Sequence, residues 1–373
     1  MKGVDYLLVD QKLCMLANSI EANLLSYINP KNIAQEKKKF FEEIEKGNEY
    51  NPDFSYEPRN PLYNYFSMSP TFSTYKKELN ELRWSLRDEA LDLIFDRKII
   101  DLSDRMELIR SAGTENFTNN SEKYYGHPTL KLLSLARKVL SNNILPEVKN
   151  IPFQEAAKII QSELKKSNLD YKIVARESSA TACSVNVRTK QIFLNPSILF
   201  SETDMKRLLV HEIQGHVFRY ENGLLQPYSL FARGLSRETL CTEEGISVVL
   251  EEMQGINVDS QLREYAGRVL AVNFASRKSF YETFNELIKF FSKESAFNLT
   301  VRAKRGTFRQ DAPGAFTKDI LYLRGKIVVN KFLQTNSIDD LYFGRYSTYD
   351  FSLVKDVQGL VQPKYLPSLA KNG

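Results

Sequence analysis

Hydrophobic residues recur at intervals of three and four along much of the chain, a pattern that predicts amphipathic helices. This spacing covers residues 3–28, 31–47, 76–111, 129–144 and 151–167. We expect residues 1–120 to form a helical N-terminal region that packs on a larger domain, residues 121–373.

Two stretches interrupt the helical pattern. Residues 48–75 are rich in Pro, Asn, Tyr and Phe, which break helices but supply too many aromatic side chains for a free linker. We expect this stretch to be pinned across the body of the protein. Residues 112–128, AGTENFTNNSEKYYGHP, are polar and predict a loop that contains His127.

The period changes after residue 169. The segments DYKIVARE, TACSVNVRT and QIFLNP are short and rich in strand formers, so they predict a small mixed β-sheet. The sequence therefore predicts an α+β fold that is predominantly helical, with this sheet beside the helix that follows. Residues 182–187 could form an edge strand that pairs with an extended peptide; an ordinary core strand is the alternative.

Composition excludes several classes of protein. The chain has 51 basic and 46 acidic residues and a net charge of +5, too small an excess to indicate nucleic-acid binding. No apolar run approaches the roughly 18 residues of a membrane helix, and the N-terminus does not resemble a secretion signal. Cys14, Cys183 and Cys241 are odd in number and widely spaced, which predicts reduced, buried thiols in a cytoplasmic protein.

The segment Ser201–Tyr220, SETDMKRLLVHEIQGHVFRY, holds two of the three histidines in the chain. Ser201 and Asp204 have the spacing of a capping box, so this segment predicts a helix. His211 and His216 diverge by about 140° on a regular helix, because each residue turns the chain by about 100°. Both imidazoles can bind one metal ion only if the helix is distorted, and one turn of i to i+5 hydrogen bonding would do this.

Other residues near this helix fit a metal site. Gly215 weakens the regular helix at the place required, although two solvated histidines remain the alternative. A catalytic zinc commonly takes three protein ligands and leaves a fourth position for water. Glu243 and Glu244 begin a further predicted helix, and one of these carboxylates could complete the site. Glu251 and Glu252 are alternative ligands, but they lie farther along it and are interpreted as surface charges.

Several spaced motifs occur in a fixed order along the chain. HEIQGH is followed by Asn222–Gly223, Gln226–Pro227, TEEGIS, FNLTVRAKRG and GAFTKDILYLRG. In this order they resemble the family named for its QEGLA motif, which includes the microtubule-associated tyrosine carboxypeptidases. The resemblance runs from about Tyr125 to Gly325. It implies a zincin-like metallopeptidase domain.

The resemblance also implies roles for individual residues. Three zinc ligands and a general base carry over, namely His211, His216, Glu244 and Glu212. The family's helix usually has its glycine one place earlier, where this chain has Gln214. The QEGLA-like motif is degenerate, since Glu243, Ile246 and Ser247 replace Gln, Leu and Ala. The choice between Glu243 and Glu244 as third ligand stays open.

The C-terminal motifs offer candidates for substrate binding. Arg302 and Arg305 lie three apart on one predicted helix and can share a face. Lys318 and Tyr322 lie four apart on the next. Arginine suits the free carboxylate at the end of a carboxypeptidase substrate, and Tyr322 could donate a hydrogen bond to the oxyanion. Surface charges and a half-buried tyrosine are the alternative.

The sequence thus predicts a zinc-dependent carboxypeptidase that acts on the C-terminus of a peptide or protein. A non-catalytic, zinc-containing regulatory or binding protein is the first alternative. The second is an aminopeptidase, in which Glu243 would hold the substrate ammonium. Residues 336–373 predict short helices and a loose tail.

Overall fold

The computed structural model describes residues 4–21, 24–56, 70–84, 86, 90–142, 147–177, 182–256 and 259–368. In these residues the fold is predominantly helical with one small mixed sheet, as predicted. Two compact units are present. The first is Met1–Asn142 with Leu262–Leu323, and the second is Asn143–Gln261 with Arg324–Gly373. The expected boundary at residue 120 falls inside the first unit.

The helices of the N-terminal half are α1 (Tyr6–Ile20), α2 (Leu24–Ile28), α3 (Ile33–Glu45), α4 (Pro70–Trp84), α5 (Ala90–Ser111), α6 (Phe117–Tyr125), α7 (Leu130–Leu140) and α8 (Phe153–Lys166). Hydrophobic spacing predicted all of these except α6, and merged α4 with α5. The strands are β1 (Lys172–Ala175), β2 (Cys183–Asn186) and β3 (Gln191–Leu194).

The C-terminal half continues with α9 (Glu202–Leu208), a π-helical turn (Leu209–Val217), α10 (Phe218–Leu224), α11 (Leu230–Arg233), α12 (Thr239–Met253), α13 (Asp259–Ala275), α14 (Phe280–Leu287), α15 (Lys293–Lys304), α16 (Leu321–Phe332) and α17 (Phe351–Val354). Short 3-10 helices span Thr317–Ile320 and Asp339–Leu341. In the described part of the chain, no helix combines the length and apolar character needed to cross a membrane.

The loop predicted for residues 112–128 is wrong, because α6 occupies its centre. Phe117, Ser121 and Tyr125 recur every four residues and form a buried face. Phe117 stacks on Phe316 of the same unit, with ring centroids 5.7 Å apart. The many Asn, Thr and Glu residues between these positions lie on the other side of the helix, so overall polarity concealed the period. His127 follows α6 and is exposed.

Part of the aromatic stretch at residues 48–75 is pinned as expected. Within the first unit, the amide of Tyr281 donates to Oδ1 of Asn51 (2.9 Å), and the Phe54 ring packs on Phe280 at 5.8 Å. Residues 57–69 of this stretch lie outside the described residues, and the last part of it begins α4.

The sheet has the order β1-β3-β2. β1 pairs parallel to β3, and β2 pairs antiparallel to β3. Among the described strands β2 therefore lies at an edge, and it also packs against the π-helical turn. The predictions of an edge strand at residues 182–187 and of a sheet beside the histidine helix are confirmed. Cys14, Cys183 and Cys241 carry free thiols.

The loose tail predicted for the C-terminus is wrong for residues 361–368. This segment has no regular secondary structure and is held by the side-chain amides of Gln214, Asn222 and Gln226. Asn222 donates to the carbonyl of Tyr365 (2.7 Å), and Gln226 donates to the carbonyl of Val361 (2.9 Å). Gln214 accepts from the amide of Ser368 (3.2 Å). These partners are about 140 residues away in sequence, so no local pattern could reveal them.

Candidate metal centre

The segment that carries the two histidines begins with the predicted capping box. The Ser201 hydroxyl accepts from the amide of Asp204 (2.9 Å), and the Asp204 carboxylate accepts from the amide of Ser201 (3.0 Å). α9 then passes directly into the π-helical turn at 209–217. The predicted i to i+5 bonding is confirmed there, since the amide of Phe218 bonds to the carbonyl of Ile213.

This turn brings both imidazoles to one side of the helix. With i to i+5 bonding, five residues make a little more than one turn, so His211 and His216 project in similar directions. Their ring centroids lie 5.2 Å apart, and the ring planes are inclined at 72°. His211 is buried and His216 is half-buried, which leaves the second ring partly accessible.

Glu244 on α12 is the third group at this position. Its Oε2 lies 3.7 Å from Nε2 of His211. One donor atom from each of His211, His216 and Glu244 lies within 4.8 Å of the other two. Donors around a tetrahedral zinc lie about 3.4 Å apart, given bonds of about 2.1 Å. Small side-chain movements would therefore close these groups on one ion, and two imidazoles with a carboxylate are a donor set that catalytic zinc uses.

The charges around His211 also suit a cation. Burial disfavours the protonated form of this imidazole. The nearby carboxylates of Glu244, Glu251 and Glu212 nevertheless raise its pKa to about 10. Three carboxylates thus act on one imidazole, an arrangement that suits a divalent cation.

Glu251 was interpreted from the sequence as a surface charge, and this was wrong. Its side chain is fully buried, and its Oε1 lies 2.8 Å from Nδ1 of His211. Such a bond fixes the ring and leaves Nε2 directed towards the ligand position. Glu251 follows Glu244 by seven residues, about two turns, and so lies on the same face of α12; this spacing was the signal in the sequence. Glu252 is exposed and pairs with Lys326, as a surface charge does.

Glu243 lies next to the second imidazole. Its Oε2 is 3.6 Å from Nδ1 of His216. The fully buried Arg219 donates to Oε1 (2.5 Å), and Arg345 donates to Oε2 (2.6 Å). Two guanidinium groups thus already neutralise this carboxylate, whereas Glu244 contributes the atom that faces both histidines. The same pairing leaves Glu243 poorly suited to hold the ammonium group of an aminopeptidase substrate.

Two glycines allow α12 to pack closely on its neighbours. A Cβ at Gly215 would lie 2.1 Å from the Ser247 hydroxyl oxygen, so the π-helical turn touches α12 here. A Cβ at Gly245 would lie 2.3 Å from the backbone of Gly325 in α16. The sequence suggested that Gly215 weakens a helix; in the structure it also permits this close approach.

Alanine at either glycine is expected to lower the free energy of unfolding by about 1–3 kcal/mol, with Gly245→Ala the more damaging because it meets backbone. Denaturant titration of the metal-free protein measures both effects. Adding Ser247→Ala should relieve part of the cost of Gly215→Ala and none of the cost of Gly245→Ala. Equal relief of both variants would contradict this packing.

Glu212, the predicted general base, follows the first histidine and is half-buried. Its negative charge raises the pKa of His211. Burial, and after it the charge of Glu212, raises the pKa of the Cys183 thiol in β2. The carboxylate therefore lies near both the candidate ligands and the edge strand. Among the described residues it forms no hydrogen bond or ion pair that would give it a structural role.

The predicted substrate-binding residues belong to the first unit. Arg302 donates twice to the buried Asp319 (2.6 and 2.9 Å), and Arg305 lies 3.8 Å from the same carboxylate. Lys318 and Tyr322 do not share one helix as predicted, because Lys318 lies in a 3-10 turn and Tyr322 in α16. The prediction that they share one helix is wrong, because Thr317–Ile320 forms a tighter 3-10 helix before α16 begins. Their roles in substrate binding stay predictions.

The Tyr322 ring contacts two neighbours of the first unit. It stacks on Tyr265, with centroids 4.6 Å apart and planes inclined at 11°. The guanidinium of Arg268 lies 4.7 Å from the Tyr322 centroid. These contacts fix the ring, and its side chain as a whole remains half-buried.

Comparison with known proteins places the chain in a family. A family model described as microtubule-associated tyrosine carboxypeptidase matches residues 38–373. A mouse protein (Mus musculus) named "putative tyrosine carboxypeptidase MATCAP2" is 30% identical over 158 residues, 41% of this chain and 30% of its own length. The human protein (Homo sapiens) of the same name is 31% identical over 135 residues, 35% of this chain and 26% of its own length. The aligned regions thus span less than a third of either relative. Since the family model matches nearly the whole chain, the protein belongs to the microtubule-associated tyrosine carboxypeptidase family.

Proposed function

We propose that this chain is a zinc-dependent carboxypeptidase with a zincin-like core that removes residues from the C-terminus of a peptide or protein. The observation that carries the proposal is the convergence of His211, His216 and Glu244, whose donor atoms lie within 4.8 Å of one another. The carboxylate of Glu212, which has no hydrogen bond or ion pair among the described residues, supplies a base. Family membership supports the carboxypeptidase activity.

The proposed chemistry divides between the ion and the chain. Zinc, when bound, lowers the pKa of a coordinated water towards about 7 and polarises a carbonyl group. Glu212 takes the proton from the attacking water at its carboxylate and passes it to the departing amine. Glu251 holds His211 through Nδ1 and so keeps Nε2 free to bind the ion.

The proposed substrate contacts use backbone and charge. β2 lies at the edge of the sheet among the described strands, and we propose that its outer backbone groups bond an extended peptide. In the first unit, Arg302, Arg305 and Arg268 cluster around Asp319, while Glu264 pairs with Arg268. We propose that the guanidinium groups of this cluster bind the terminal carboxylate of a substrate.

The three substrate residues chosen from the sequence take separate parts in this proposal. Arg302 and Arg305 contribute guanidinium groups, and Lys318 adds a further positive charge. The Tyr322 hydroxyl donates a hydrogen bond to the developing oxyanion. Because the relatives are named as tyrosine carboxypeptidases, we propose a C-terminal tyrosine as the first residue to test.

A non-catalytic, zinc-containing binding protein is the second candidate function. Whether the Glu212 carboxylate is paired distinguishes this candidate from the enzyme. A protein that used the metal only for structure would gain from a closed site in which each carboxylate is paired, as Glu251 and Glu243 are. Glu212 is unpaired among the described residues and half-buried beside the histidines, which favours the enzyme.

The test combines elemental analysis of the purified protein with an assay on a peptide library. We expect one zinc per chain and stepwise loss of C-terminal residues from peptides with free C-termini, including those with blocked N-termini. Peptides with amidated C-termini should resist cleavage. Removal of zinc by a chelator should abolish the activity, and added zinc should restore it. Cleavage that survives chelation, or that proceeds from the N-terminus, would overturn the proposal.

A further inference from the structure

The loop Leu341–Tyr346, called here the 341–346 loop, bonds directly to the π-helical turn. The hydroxyl of the buried Tyr342 donates to the carbonyl of Gln214 (2.8 Å). Gln214 lies where bonding returns from i+5 to i+4, and such a return leaves a carbonyl without its regular amide partner. Tyr342 supplies a donor to the backbone of the distorted turn at that point.

A second contact pins the loop at both ends. Arg219, which is fully buried, donates through Nε to the carbonyl of Leu341 (2.9 Å) and through Nη2 to the carbonyl of Tyr346 (2.6 Å). Because Arg219 follows the π-helical turn by two residues, the loop and the turn cannot shift independently.

A third contact leads from the loop to the second histidine. Arg345 donates through Nε (2.9 Å) and Nη2 (2.6 Å) to Oε2 of Glu243. The same oxygen lies 3.6 Å from Nδ1 of His216. Arg345 thus fixes the carboxylate that lies next to Nδ1 of the His216 imidazole.

We propose that the 341–346 loop positions His216 for metal binding, with Tyr342 holding the π-helical turn and Arg345 holding Glu243 against the imidazole; this inference rests on the proposed zinc site. Tyr342 and Arg345 are positioning residues, because neither contacts the ion or the substrate. Without them, the turn can relax towards regular helical bonding, which would rotate His216 away from His211.

The test compares two buried tyrosines of the same loop. Tyr342→Phe removes only the hydroxyl that bonds the turn. Tyr346→Phe is the matched control, because its hydroxyl bonds the carbonyl of Asp340 and not the turn. We expect Tyr342→Phe to weaken zinc binding by about tenfold or more, as measured by chelator competition, while Tyr346→Phe keeps the wild-type affinity. Arg345→Met should weaken binding in the same direction.

Two readouts separate positioning from a general loss of stability. The visible absorption of the cobalt-substituted protein reports coordination geometry, and it should change in Tyr342→Phe but not in Tyr346→Phe. Amide hydrogen exchange of the metal-free protein should be faster across residues 209–218 in Tyr342→Phe alone.

Equal affinity, spectrum and exchange in the two tyrosine variants would overturn the positioning role and leave the zinc site intact. Absence of zinc binding by the wild-type protein would refute the proposed function, even if amide exchange at residues 209–218 is faster in Tyr342→Phe. In that case the loop would still be established as the element that holds the π-helical turn.

Discussion

Glutamine at position 212 is expected to lower the rate of peptide hydrolysis by about 100- to 10,000-fold, the usual contribution of a general base. The change removes the proton acceptor but keeps the shape of the side chain. Because Glu212 is not among the three converging ligands, the zinc content should remain that of the wild type. Steady-state kinetics with a peptide substrate and metal analysis of the same samples measure both quantities.

A matched control for Glu212→Gln is Glu252→Gln, which alters an exposed carboxylate on α12 that pairs with Lys326. It should retain full activity. If both proteins bind zinc and the wild type is as inactive as Glu212→Gln, this result would favour the non-catalytic binding protein over the enzyme. Full activity in Glu212→Gln would refute the role of this carboxylate as base.

Glu243→Gln is expected to destabilise the protein by about 3–5 kcal/mol, since it breaks a buried ion pair from one side. The fully buried Arg219 would lose its only carboxylate partner in the described residues, and Arg345 would lose the same partner. Denaturant unfolding at neutral pH measures the change. Glu252→Gln, which breaks an exposed pair, should cost about 1 kcal/mol or less. Similar losses in the two variants would contradict the structural importance of the buried cluster.

The cluster also predicts how stability depends on pH. Burial opposes the charge on Glu243, yet Arg345 and Arg219 hold the pKa of its carboxyl well below the usual value of 4.5. A carboxyl with a lowered pKa in the folded state stabilises the protein in full above its unfolded pKa, and this contribution is lost as the pH falls through the folded value. The difference in unfolding free energy between wild type and Glu243→Gln should therefore be constant from neutral pH to about pH 5 and narrow below about pH 4. A difference that narrows already between pH 8 and pH 6 would contradict the assignment.

The histidine helix shows how far local sequence can lead. Ser201 and Asp204 determined where the helix begins, because a capping box forms between residues three apart. The five-residue interval between His211 and His216 required i to i+5 bonding if both rings were to share an ion, and the structure has that bonding. Both inferences depend on contacts within a few residues, which a single sequence displays.

The rest of the site depends on groups that meet only after folding. Glu251 is a buried partner of His211 because α12 presents it to the π-helical turn, yet its neighbours in sequence resemble a solvated surface. The partners of Glu243 and of the Gln214 carbonyl come from the 341–346 loop, about 100 or more residues away. Spacing along the chain carries no record of these contacts with the 341–346 loop.

The amino-acid sequence by itself therefore determined the helical class, the small sheet, the distorted histidine helix and the family. Periodicity and capping depend on residues that are close in sequence. The order of the motifs can be read without knowing how the chain packs. Only the tertiary structure decided which carboxylates face the imidazoles, which are neutralised by arginine, and what holds residues 361–368. Those outcomes depend on burial and on hydrogen bonds between distant segments, since a charge is placed by the elements that surround it and not by its neighbours in the chain.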